Sequence, residues 1–118
     1  MKKNSKAKSK GLNQKDIAVG HLYLTATGQF RAVLAMNGEF MVYAPSSEGM
    51  EPSSLNPSLL PFENSPFKKC QIVTFAKKDY QEFELGGEKA IKHYLTPSQI
   101  EQAKAQCNAE AAIADLLR

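Results

Sequence analysis

His21, His93, Cys70 and Cys107 are the only side chains of the usual nitrogen and sulfur metal-ligand kind in this 118-residue sequence. No two of them lie within four residues of each other, so there is neither a C-x-x-C nor an H-x-x-x-H pair. No metal site and no cofactor are expected. Cys107 falls on the apolar stripe of a segment read below as helix, a setting in which thiols are inert. Cys70 follows Lys68 and Lys69, whose charges favour a thiolate; a cysteine packed at the start of a strand has the same neighbours. Glu82 and Glu84 would share one face of a strand, where two carboxylates can tune each other for acid–base work. Solvated strand faces carry the same pair routinely. Gly86-Gly87-Glu88-Lys89 lacks the G-x-x-x-x-G-K-[ST] spacing that wraps backbone N–H groups around a phosphate, and reads as a tight turn ending a strand. No G-x-S-x-G elbow is present. These residues assign no catalytic role, and the chain reads as a non-enzymatic protein.

The lysines offer a different chemistry. Lys2, Lys3, Lys6, Lys8, Lys10 and Lys15 stand among the first 16 residues with a single acid, Asp16, for a local charge of +5. Residues 17–118 hold nine basic and eleven acidic side chains, a net of −2, so the overall +3 belongs to the N-terminal segment. The six lysines are candidate phosphate contacts. If all six engaged duplex DNA, the log–log salt slope would be about −5. No arginine or aromatic interleaves them, so base reading and stacking from this segment are not expected. The segment also lacks β-branched residues, and Leu12 is its one large aliphatic after Met1. That composition predicts a flexible tail over residues 1–16. The charged opening Met1-Lys2-Lys3 is not followed by the apolar stretch that a secretory signal requires, so a cytoplasmic location is expected. In that setting two cysteines read as free thiols. No apolar run approaches the ~20 residues of a membrane span, and no membrane association is expected.

The rest of the chain must supply any fixed surface on which these groups act. Its length suits one domain, and 42% apolar with 23% charged residues suits a globular core. His21 to Thr25, Phe30 to Met36 and Glu39 to Ala44 read as strands of a meander, with turns at Thr27-Gly28 and Asn37-Gly38. Asn-Gly suits the positive-φ positions of a type I′ hairpin. Two-residue loops at both turns would set Leu22 opposite Val33 and Leu34 opposite Met41. One face then holds Leu22, Leu24, Val33, Ala35, Phe40 and Val42, with Arg31 near its edge, and reads as core. The other face is aromatic and partly polar. Its residues His21, Tyr23, Phe30, Met41 and Tyr43 form a candidate binding face, unless the loop or helix that follows covers it.

Five of the six prolines fall within residues 45–69, a long loop that also carries Leu55, Leu59, Leu60, Phe62 and Phe67. Its length suggests function and its apolar content suggests contact with something; residues 53–60 could form one or two helical turns. Gln71 to Phe75 reads as a fourth strand and Tyr80 to Leu85 as a fifth, while Glu88 to Tyr94 fits helix or strand. Thr96, Pro97 and Gln99 open a helix with a capping box, and Leu95 and Ile100 are spaced for a hydrophobic staple. The helix is expected to run to residue 118, about 33 Å at 1.5 Å per residue, with Ile100, Ala103, Cys107, Ala111 and Ala114 as its stripe. Its last turns are apolar nearly all round, which makes Ile113, Leu116 and Leu117 candidate contacts for a partner chain. The expected organisation is therefore a tail (1–16), a β-rich domain (17–95) and a C-terminal helix (96–118). The fold class is α+β: a small antiparallel β-barrel or curled sheet of about five strands.

Val19-Gly20-x-x-Tyr23, Gly28-x-x-Arg31-x-Val33-Leu34 and Val42-x-Ala44 together resemble the opening of small SH3-like barrels found in bacterial and mobile-element proteins. The resemblance spans about 30 of the 118 residues. It implies a barrel and a binding role on one sheet face, and it carries over no catalytic residue. Two functions follow as expectations. The first is a binding module that recognises a protein partner or a second copy of itself. The alternative is a nucleic-acid-associated accessory protein anchored nonspecifically by its lysine-rich tail.

Overall fold

A computed structural model of the chain describes residues 12–53, 55–56, 58–62 and 66–118. The architecture is mixed α+β on one antiparallel sheet. The sheet contains β1 (His21–Thr25), β2 (Phe30–Asn37), β3 (Phe40–Pro45), β4 (Lys68–Gln71) and β5 (Tyr80–Gln81), in the order β4-β3-β2-β1-β5. β6 (Phe83–Leu85) and β7 (Glu88–Ala90) form a separate hairpin. β8 (His93–Tyr94) pairs with the first half of β1 and β5 with its second half, so two short strands share that edge. The sheet is open, which corrects the barrel among the two expected forms, a barrel or a curled sheet. β4 ends it on one side with exposed Lys68 and Lys69, charges that discourage a further strand.

The register differs from the expected one for three local reasons. The first loop has three residues, Ala26-Thr27-Gly28, because Thr25 N donates to Gln29 O at 2.9 Å and Gly28 closes the turn at φ +90°. Leu22 therefore faces Ala32, not Val33. The second loop turns on Gly38-Glu39, with Asn37 paired to Phe40. Of these two central residues only Gly38 has positive φ, which is the type II′ pattern rather than I′. A bulge between Val33 and Ala35 then changes the alternation within β2. Phe30, Ala32 and Leu34 thereby join Leu22, Leu24 and Val42 in one core, while Val33 joins Tyr23, Met41 and Tyr43 in a second.

Both sheet faces are covered. Over the first lie α2 (Pro97–Gln106), α3 (Glu110–Leu116) and part of the proline-rich loop. Over the second lie α1 (Ile72–Lys77) and a 3₁₀ turn, Gln14–Asp16. α1 occupies most of the expected fourth strand. Ile72, Phe75 and Ala76 recur at helical spacing and point into the second core, where the Phe75 ring lies 5.1–5.7 Å from those of Tyr43, Tyr80 and Tyr23. Tertiary packing overrides the strand propensity of Ile-Val-Thr-Phe. The expected fifth strand breaks at Glu82 into β5 and β6.

The single long helix is two helices. Thr96 and Gln99 form the reciprocal capping box expected at its start. After Cys107 the chain passes through Asn108 at φ +57°. Asn108 N then bonds Ala105 O at 3.3 Å, and Ala109 N bonds Lys104 O at 3.0 Å. That pair of bonds is a Schellman stop, with asparagine taking the left-handed position. The break rephases the stripe, so Ile113 and Leu116 turn into the core while Ala111 and Ala114 face solvent. The proline-rich loop is held through side chains. Gln102 and Gln106, one turn apart on α2, accept from Leu60 N at 2.7 Å and Phe62 N at 3.1 Å. Instead of the expected helical turn, the described part of residues 53–60 holds an Asn56–Leu59 bridge. Leu60 and Phe62 are buried.

Described structure begins before residue 17. Leu12 N donates to Ala76 O at 2.8 Å, Asn13 caps the 3₁₀ turn, and Ile17 is buried. Residues 12–16 thus belong to the body, and the expectation of a flexible tail rests only on residues 1–11, outside the described residues. Cys70 and Cys107 are free thiols, half-buried and buried. No helix among the described residues is long and apolar enough to cross a membrane.

Candidate functional site

The candidate binding face does not stay together. His21, Tyr23, Met41 and Tyr43 lie on the side of the second core, and Phe30 points into the first. All five are buried, His21 at 8% exposure and Tyr43 at 7%. His21 and Tyr23 instead anchor the N-terminal turn. His21 Nδ1 lies 3.0 Å from Asp16 O and 2.9 Å from Tyr23 Oη, and the Tyr23 hydroxyl donates to Asp16 O at 2.7 Å. Burial holds His21 below its ordinary pKa, against the opposing pull of the Asp16 carbonyl. Burial likewise pushes the Tyr23 hydroxyl well above its ordinary range. Of the candidate partner contacts, Ile113 and Leu116 are buried in the first core and only Leu117 is exposed, at 57%. Asn37 Nδ2 fixes that helix end by donating to Leu116 O at 2.7 Å. Among the candidate phosphate contacts, Lys2, Lys3, Lys6, Lys8 and Lys10 lie outside the described residues, and Lys15 is exposed on the 3₁₀ turn.

The fold assembles a cationic site that the sequence reading missed. Arg31, expected at the edge of a core face, lies on the side of the second core. Its guanidinium carbon sits 4.8 Å from the Tyr43 ring centre, 5.4 Å from Phe75 and 6.0 Å from Tyr80. Nε donates to Gln29 Oε1 at 2.7 Å and Nη1 to Tyr80 Oη at 3.1 Å. The signal available in sequence was a lone arginine inside an apolar strand; recognising its partners required the bulged register and the unforeseen α1. Lys68 stands opposite Tyr43 on β4, on the same side of the sheet. Lys77 and Lys78 end and follow α1, exposed, and Leu12 is bonded to the neighbouring Ala76. The root of the lysine-rich segment therefore sits beside two further lysines. Asp16 and Asp79 are the nearest acids in sequence and offset part of that charge. Nearby Arg31 counteracts the burial that raises the Cys70 pKa, and burial prevails.

Glu82 and Glu84 are exposed and line a cleft of about 510 Å³ with Ala26, Pro52, Ser53 and Gln81. Glu84 pairs with Lys89 across the β6–β7 hairpin, as ordinary cross-strand neighbours do. Among the described residues, no three His, Cys, Asp or Glu side chains stand together as metal ligands would. No protein-family model, curated protein or solved structure matches this chain.

Proposed function

We propose that the protein is a small non-enzymatic binding module whose partner is nucleic acid, engaged through phosphates. The observation that carries this reading is the Leu12–Ala76 hydrogen bond, which roots the lysine-rich segment beside Lys77 and Lys78. Five lysines without an acid precede Leu12 in sequence, and residues 12–118 carry a net charge of −2. A polyanion is attracted to the lysines around that attachment, which favours an oriented encounter. Counterion release supplies affinity without base reading. The protein-partner reading has less support, because Ile113 and Leu116 of the helix end and Leu60 and Phe62 of the loop are packed into the molecule's own core, while Leu117 and Leu59 stay exposed.

The test is duplex binding by the full chain, compared with a full-length variant in which Lys2, Lys3, Lys6, Lys8 and Lys10 are glutamine. The wild type is expected to bind at micromolar concentration or weaker, and the variant at least tenfold more weakly. Equal, negligible binding by both would overturn the reading.

A further inference from the structure

Arg31 is one of two arginines in the chain; the other, Arg118, ends it. The Arg31 guanidinium is fixed before any ligand arrives. Its two acceptors are themselves held: Gln29 Nε2 donates to Ser46 O at 3.2 Å, and the Tyr80 hydroxyl donates to Phe75 O at 2.7 Å. Those two bonds use one donor on Nε and one on Nη1, leaving three of the guanidinium's five N–H groups. Arg31 takes part in neither the Lys104–Glu101 nor the Arg118–Asp115 ion pair. The guanidinium is half-buried and has no acid against it among these pairs. Here the faces of Tyr43, Phe75 and Tyr80 stabilise the charge, but ring faces take up none of the remaining N–H donors.

We infer that Arg31 is a fixed phosphate contact, presenting its remaining donors to one backbone phosphate with Lys68 as the second cation. The inference rests on the nucleic-acid reading above and deepens it: a lysine ammonium attracts a phosphate as a point charge, whereas a locked guanidinium fork positions it. A planar fork already held in place loses little freedom on binding, so its donors act at small entropic cost. The placement agrees: Arg31 packs on Phe75 of α1, and Leu12, which follows the N-terminal lysines in sequence, is bonded to the next residue, Ala76.

The side-chain N–H resonances of the two arginines test this directly, with Arg118 as internal control. A short duplex is titrated into the full chain at low salt, and inorganic phosphate in a parallel arm. The expected result is a saturable shift of the Arg31 resonances with the duplex and a much smaller one for Arg118. Arg31→Gln should reduce the magnitude of the log–log salt slope by about 1, and Arg31→Lys should restore the slope while binding several-fold more weakly. If the duplex binds while the Arg31 resonances stay still, the contact is overturned and the nucleic-acid reading stands. If inorganic phosphate moves Arg31 but the duplex does not bind, Arg31 is a free-anion site and the contact as stated is overturned together with the reading.

Discussion

At the scale of single residues, burial decides what the polar groups do. His21 sits where its cation is disfavoured, so the unfolded chain binds a proton that the folded chain resists. Between the depressed folded pKa and the ordinary value of 6.5, the unfolded state holds more protons, and stability therefore rises with pH. Stability should be full above that ordinary value and fall as pH drops below it, until the folded pKa is passed. Urea unfolding of wild type and His21→Gln at several pH values from 7 to 5 checks this: the wild type should lose more stability on acidification, and parallel profiles would contradict the assignment. Gly28 is constrained in another way. Its φ is +90°, and a Cβ there would meet Met50 N and O at 2.8 Å. Gly28→Ala should cost on the order of 3 kcal/mol from left-handed strain and overpacking, read as a lower urea midpoint. The glycine was legible as a turn residue. Its second duty, letting residues 49 and 50 bond to the turn, was not, because those residues are distant in sequence.

At the scale of elements, what depends on a few neighbouring residues was readable. Thr96, Pro97 and Gln99 announced the start of α2, and the capping box is present. Thr96→Ala should cost about 1 kcal/mol, measured by urea unfolding, and a change below a few tenths would mean that tertiary packing alone holds that end. What depends on partners was not readable. Thr27-Gly28 suited a two-residue loop, but Thr25 Oγ1 also accepts from Gln29 N at 3.0 Å and supports the wider loop. That shift, with the bulge in β2, moved Phe30 away from Tyr23, Met41 and Tyr43. One changed register thus dismantled a candidate surface and placed Arg31 among aromatic rings. α1 was hidden for a related reason: Ile72, Val73 and Thr74 favour strands locally, and only the aromatic floor beneath them selects a helix. Asn108 carried a usable signal, since asparagine tolerates the left-handed turn that stops a helix, but the apolar pattern on either side of it read as continuous.

At the scale of the whole molecule, two cores flank one open sheet, and the charge is distributed unevenly around them. The split between a positive N-terminal segment and a mildly acidic body was readable from sequence. Where that segment attaches was not, because the Leu12–Ala76 bond joins residues 64 positions apart. The most direct test of the account is the salt dependence of duplex binding by the full chain, followed by fluorescence anisotropy across a range of salt concentrations. With Lys2, Lys3, Lys6, Lys8, Lys10, Lys15, Arg31 and Lys68 all engaged, log affinity against log salt should fall with a slope of about −7, and with the first five changed to glutamine the slope should flatten to about −3. A slope near zero for the wild type, or the same slope for both proteins, would contradict it.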